Sequence, residues 1–275
     1  MYGLVTRRAE NLESPGFERA FYEVKDVTGQ RRDPVETAVS MLSCFGDNTV
    51  ARDHPDLLAR DADGTPATTE RPYFDWAYVC PTADGYREQL LEMVEEVAAV
   101  NPDVRLDDVG FPREEYCHCD RCEEAFEAFD GDWWSWRAGV VTDFVAEAVD
   151  RIPGRTYFTL YPDPYPGHLH RRNGLDLDAI EPLVDEFVVT LYDTAYGTTY
   201  WLETIAKGFE GLLSTPFSIE LYAANVEVDN LVHAAEVADA YATDVYFGYD
   251  ASTARAAKRR LEANEQSGET YGDPS

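Results

Sequence analysis

With 275 residues, 44% of them hydrophobic and 13% aromatic, the chain has enough apolar mass for one sizeable core, which excludes a disordered protein despite its charge. Acids outnumber bases 53 to 23, a net charge of −30, and such a surface repels both nucleic acid and anionic membranes. The acids are spread along the whole chain and Lys25, Lys207 and Lys258 are its only lysines, a pattern that suits the high-salt cytosol of a halophile, where salt screens the self-repulsion.

The first elements are the least regular. Residues 3–6 (GLVT) and 38–47 (AVSMLSCFGD) read as strands around a helix near 16–27, and a long loop with the turn signal DADG covers 54–81. Arg7 and Arg8 have no apolar stretch behind them and no run is apolar enough to span a bilayer, so the expected location is cytoplasmic. From residue 85 onward helices alternate with short β-branched and aromatic runs: helix 85–100 then strand 103–111, helix 134–152 then strand 155–163, helix 175–187 then strand 187–193. Helix 198–213 precedes strand 216–225, helix 228–242 precedes strand 244–250, and a last helix, 251–264, is followed by a loose tail, 265–275.

Single strands alternating with helices imply a parallel sheet. Four strand ends share one pattern, LYPD (160–163), LYD (191–193), LYAAN (221–225) and GYD (248–250). Tyrosines and polar residues at strand ends are what the C-terminal rim of an α/β barrel presents, which makes Tyr161, Asp163, Tyr192, Tyr222, Tyr249 and Asp250 candidate substrate contacts. No glycine-rich phosphate loop follows any strand, so a (β/α)8 TIM barrel over residues 1–264 is expected in preference to a doubly wound sheet. Only seven strands are clear; the eighth is missing, displaced or hidden in 70–80, and the N-terminal part is expected to be incomplete or irregular.

Three of the five cysteines, Cys117, Cys119 and Cys122, fall in YCHCDRC. An odd total argues against a disulfide framework, and three thiolates on one tight turn suit one end of a tetrahedral zinc site. Cys80 is the favoured fourth ligand because it ends a loop one helix before the strand carrying Asp107 and Asp108; Cys44, His118 and His54 are the other candidates. Four protein ligands would close the shell and make the zinc structural.

LDD, with Cys117 nine positions beyond Asp108, and CHCDRCEEAF together resemble the zinc-bearing β-galactosidases of glycoside hydrolase family 42 and a looser group of glycosidase-like barrels. HPDLLARDADG and WAYVCPTADGYREQLLE extend the resemblance over residues 35–128. It implies a barrel in which the cysteine loop follows the fourth strand and joins a cysteine of the previous loop around zinc. It also implies an acid/base carboxylate at Asp108, where the family has an Asn-Glu pair in place of Asp107-Asp108, and a nucleophile on the seventh strand, at Glu220.

The residues speak to the same chemistry. Glycoside hydrolysis needs two carboxyl groups across the scissile bond. Glu220 interrupts the apolar run FSI-E-LYA, which is costly unless the carboxylate is functional or ion-paired, with Arg105 as a candidate partner. Strand alternation allows only one of Asp107 and Asp108 to face the barrel. VRLD resembles the Arg-x-Asp of amylase-type barrels, a variant that selects Asp107 paired with Asp193 or Glu220. Two carboxylates this close should push their pKa values apart.

The rim tyrosines offer sugar-stacking surfaces, Trp133, Trp134 and Trp136 either do the same or pack a helix on the barrel, and His168 and His170 in GHLHRR read as a small basic patch on a solvated loop. The leading expectation is a glycoside hydrolase with a structural zinc site beside its catalytic strand. Its rivals are a carbohydrate-binding barrel without catalysis and a metal-dependent sugar isomerase or lyase using Asp108, Asp193 and Glu220.

Overall fold

The computed structural model describes residues 1–13 and 16–267. Among them eight strands, β1 (Tyr2–Thr6), β2 (Arg19–Lys25), β3 (Val39–Ser43), β4 (Val104–Asp107), β5 (Thr156–Leu160), β6 (Glu186–Leu191), β7 (Phe217–Tyr222) and β8 (Val245–Gly248), close a parallel barrel in chain order. The covering helices are α1 (Asn48–Asp53), α2 (Asp84–Ala98), α3 (Asp120–Glu127), α4 (Trp133–Val149), α5 (His168–Asn173), α6 (Leu177–Ile180), α7 (Tyr200–Leu212), α8 (Val228–Asp239) and α9 (Ala251–Ser267).

Two expectations are overturned at the N-terminal end. The segment read as a helix near 16–27 is strand β2, and with it the barrel is complete. RAFYEVK sends Phe21, Glu23 and Lys25 inward and Tyr22 and Val24 outward, but both faces of a barrel strand are covered, so the usual polar–apolar alternation is lost. The 70–80 region holds no strand; Tyr78 and Val79 make isolated antiparallel bridges to Gly46 and Leu58. Helix α9 runs on through residues 265–267, and the rest of the expected tail, 268–275, lies outside the described residues.

Inward-facing Val5, Phe21, Val39, Met41, Tyr157, Val188 and Tyr246 fill the barrel's middle. Outward residues such as Leu4, Leu42, Leu106, Phe158 and Phe247 pack under the helices. Below the middle layer, at the strands' N-terminal ends, a polar floor closes the barrel. Arg19 pairs with Asp244 at 2.8 Å, and Glu186 accepts from Tyr246 Oη at 2.7 Å and from Ser218 Oγ at 2.6 Å.

Gly3 belongs to this floor because a Cβ there would lie 2.6 Å from the Tyr246 ring and 2.9 Å from the Arg19 carbonyl. Gly3→Ala is expected to destabilise the protein by about 1–3 kcal/mol, the usual cost of overpacking, read from urea denaturation.

The floor leaves the opposite end for chemistry. There a register shift between Glu23 and Lys25 brings buried Lys25 against β3, where it donates to the carbonyls of Ser43 at 2.7 Å and Gly46 at 3.0 Å and pairs with Asp47 at 3.1 Å. This tie sets the position of Ser43 at the barrel mouth.

Candidate active site and cysteine cluster

Arg105 and Asp107 share the inward face of β4. Arg105 is fully buried; its Nη1 lies 2.6 Å from Glu220 Oε2 and its Nε donates to Thr159 Oγ1 at 2.9 Å. Glu220 Oε1 accepts from Tyr192 Oη at 2.5 Å. Glu220 is therefore sealed in the layer beneath the mouth, held by the arginine that its sequence context offered as a partner.

β4 stops at Asp107, earlier than the 103–111 strand expected, and this changes the geometry of the aspartate pair. Asp108 takes φ +50°, a left-handed conformation that aspartate tolerates, and escapes strict alternation. Its Oδ2 accepts from Ser43 Oγ at 2.5 Å, while Asp107 Oδ1 accepts from the Asp108 N–H at 2.9 Å. Both carboxylates thus belong to the mouth, contrary to the expectation that only one would. Burial first, then the charge of Asp107, pushes the Asp108 carboxyl up to about 8, against the Ser43 hydrogen bond and Lys25.

A third carboxylate joins them. Glu23, on β2, is ion-paired with Arg7, whose Nη2 donates to Oε1 at 3.3 Å. Burial pushes Glu23 up to about 7, with Asp107 and Asp26 adding to the rise and Arg7 opposing it. Sequence reading missed Glu23 and Arg7 because it placed the first on a helix; alternation of Phe21, Glu23 and Lys25 was the available signal. It also missed Trp76 and Tyr78. Gly46 has no room for a Cβ between Ser43 Oγ and Trp76 Nε1, each 2.9 Å away, which puts the indole over the loop after β3. Tyr78 packs beside Trp76, ring centroids 5.9 Å apart, and burial, then the Asp108 charge, raises its phenol.

Tyr192, Tyr222 and Tyr249 gather as a triangle with ring centroids 5.5, 6.2 and 6.5 Å apart, and Arg7 lies over the Tyr249 ring at 4.6 Å. Burial and the charge of Glu220 or Glu23 hold the Tyr192 and Tyr249 phenols well above their usual range, so both stay neutral donors.

The remaining candidates have other partners. Asp193 Oδ1 accepts from Ala195 N–H at 3.0 Å, closing a turn, and Asp250 Oδ1 caps α9 through the N–H groups of Ser252 and Thr253, both at 2.9 Å. Asp163 meets His168 Nδ1 at 3.0 Å, and Tyr161 lies under Arg172, 4.0 Å from its ring centroid. Asp108, Asp193 and Glu220 thus do not converge as metal ligands.

The thiols of Cys80, Cys117, Cys119 and Cys122 do converge, all four buried and within 4.8 Å of one another. Cys80 Sγ lies 3.3 Å from Cys122 Sγ and 3.6 Å from Cys119 Sγ. Tetrahedral zinc with bonds of about 2.3 Å needs sulfurs about 3.8 Å apart, so the residues fit the ion. The Arg60 N–H donates to Cys117 Sγ at 3.2 Å, a supporting contact of the kind that fixes ligand thiolates. Cys44 stands apart, its Sγ 3.5 Å from the Leu42 carbonyl; His118 stacks on Trp133 and bonds Glu123, and His54 is exposed. Trp133 and Trp136 pack against each other and Phe126 on this side of the barrel.

No protein-family model and no curated protein matches the chain. Among solved structures, alpha-L-fucosidase isoenzyme 2 from Paenibacillus thiaminolyticus superposes with a TM-score of 0.65 at 14% identity, over 96% of this chain and 49% of that one. The chain therefore spans about half the length of that fucosidase. The Amycolatopsis orientalis BexX/CysO complex gives 0.49 at 12% identity, covering 99% of this chain and 93% of that one. The GH26 domain of an endo-beta-mannanase/endo-beta-glucanase from Prevotella bryantii gives 0.46 at 10%, covering 94% and 88%. Among the described residues no helix is long and apolar enough to cross a membrane. The chain is a closed (β/α)8 barrel similar in fold to part of the fucosidase.

Proposed function

We propose that the protein is a glycoside hydrolase in which Asp108 is the proton donor and Asp107 its charged partner. The observation that carries this reading is the pair itself. Of the carboxylates at the barrel mouth and in the layer beneath it, Glu220 and Glu23 are ion-paired with Arg105 and Arg7, whereas Asp107 and Asp108 are in no ion pair among the described residues. A carboxyl raised to about 8 is still protonated at neutral pH, as a general acid must be.

Asp108 gives its proton to the glycosidic oxygen as the C–O bond breaks. Asp107 stabilises the positive charge developing at the anomeric carbon, and water supplies the hydroxyl while its remaining proton returns to the Asp108 carboxylate. The Tyr192, Tyr222 and Tyr249 triangle offers a stacking surface and neutral hydroxyl donors for the sugar ring. Similarity in fold to a fucosidase is consistent with this chemistry and does not select a sugar.

The four cysteines would hold zinc as a closed structural site. The ion would clamp Cys80, at the end of the 54–81 loop, to the loop that leaves β4, and so restrain the segment after Asp108. The acidic surface and scarce lysine suit a high-salt cytosol.

The test is hydrolysis of a panel of aryl glycosides by the parent, Asp107→Asn and Asp108→Asn, each checked for a native circular dichroism spectrum. Each substitution is expected to lower kcat/KM by about 10²–10⁴-fold. Because the acid form of Asp108 is required, parent activity should fall as pH rises through about 8. Full activity in both variants would overturn the assignment. The arginine-neutralised state of Glu220 and Glu23 favours the second reading, a carbohydrate-binding barrel; sugar binding without cleavage of any glycoside would establish it.

A further inference from the structure

In a chain with 53 acids and 23 bases, one groove reverses the ratio. It encloses about 330 Å³ and is lined by Arg113, Glu114, Asp163, His168, Arg171 and Arg172. It opens beside the barrel mouth: Tyr161, the first residue after β5, lies under the Arg172 guanidinium. The helix α5 that carries the two arginines is the GHLHRR segment, which reads from sequence as a solvated loop.

The groove has a built base. Arg137, on α4, is fully buried, and its guanidinium donates to the backbone carbonyls of Arg171 at 2.5 Å, Arg113 at 2.8 Å and Arg172 at 3.0 Å. One buried cation therefore fixes the backbone of the three arginines that line the groove. None of its hydrogen-bond acceptors is a carboxylate, so this packing of like charges is offset by peptide dipoles and by the Phe111 and Trp134 rings, 4.5 and 5.3 Å from the guanidinium.

The surface charges are unevenly matched. Arg171 has Glu114 at 4.0 Å, Arg113 has Glu115 at 3.2 Å and His168 has Asp163 at 3.0 Å. Arg172 makes no ion pair among the described residues, and its buried Nε has no hydrogen-bond partner. It rests on Tyr161, which is 46% exposed, with its guanidinium available at the edge of the site.

We infer that this groove binds an acidic group of the substrate, a carboxylate carried on a saccharide, with Arg172 and Arg113 as its ligands. The substrate class is then an anionic saccharide, one unit of which sits at Asp107 and Asp108; this deepens the hydrolase reading and rests on it for the reaction alone. A guanidinium fork binds an oxyanion by paired, charge-assisted hydrogen bonds. At molar salt the screening length is only about 3 Å, so repulsion from the acidic surface does not oppose such a ligand and the contact pair decides affinity.

The experiment is an NMR titration of the full chain with D-glucuronate, D-glucose and inorganic sulfate, repeated on Arg172→Gln and Arg113→Gln. Glucuronate is expected to bind about tenfold more tightly than glucose, with sulfate competing for the same shifts. Arg172→Gln should erase the preference while glucose affinity and melting temperature stay at parent values. Equal affinity for the two sugars, a preference that survives both substitutions, or binding of sulfate without glucuronate would each overturn the inference. A glucuronate preference in a protein that cleaves no glycoside removes only the hydrolase reading, and cleavage of neutral glycosides without that preference removes only this one.

Discussion

Stripping metal from the zinc-loaded protein with a chelator is expected to lower its melting temperature by about 10 °C, and Cys119→Ser should do the same even with zinc in excess. The four thiols come from two segments, with Cys80 and Cys122 separated by 42 positions, and they meet with Cys80 Sγ 3.3 Å from Cys122 Sγ. The 54–81 loop already meets the segment after β4 through the His118 N–H on the Arg60 carbonyl at 2.7 Å and Arg121 Nη1 on the Asp56 carbonyl at 3.1 Å, and the metal would add direct bonds from both segments to one ion. Losing a metal that binds only the folded state removes its binding free energy from stability, and at about 2–4 °C per kcal/mol a loss of a few kcal/mol gives the stated shift. Metal analysis should find one zinc per chain in the parent and in Cys44→Ser, whose thiol lies outside the cluster, and none in Cys119→Ser. A parent without zinc, or one indifferent to the chelator, would remove the clamp from the account.

Replacing Arg105 by methionine should cost about 3–5 kcal/mol, because Glu220 would remain in the barrel with only the Tyr192 hydroxyl as partner. Both Arg105 and Glu220 are 0% exposed, so water cannot take over the missing charge. Most of the loss should return in Arg105→Met/Glu220→Leu, where no charge is left stranded, and a urea double-mutant cycle measures the difference. Glu220→Gln separates structure from chemistry at the same position. If Glu220 only anchors the layer under the mouth, the amide keeps the Tyr192 hydrogen bond and activity stays within about tenfold of the parent. A loss as deep as that of Asp108→Asn would instead give Glu220 the nucleophile role its place on the seventh strand implies by resemblance.

Much of this architecture is written in local pattern. The helix–strand rhythm after residue 85 depends on neighbouring residues alone, and it led to β4 through β8 at nearly their observed positions. The cysteine cluster was equally legible, because metal-ligand spacing is a local property of YCHCDRC and the loop order of a barrel selects Cys80. β2 was not legible, since a strand covered on both faces loses its alternation and its Glu and Lys are also good helix formers.

At the site itself, sequence alone determined the residue types at the strand ends and the presence of two adjacent aspartates. Which carboxylates are ion-paired, which are pushed above their usual range, and that both aspartates reach the mouth were decided by tertiary structure. Those outcomes rest on Arg105 meeting Glu220 across the barrel, Arg7 meeting Glu23, and a left-handed turn at Asp108 under Ser43. Burial and charge proximity act through space between strands far apart in the chain, so no reading along one strand contains them.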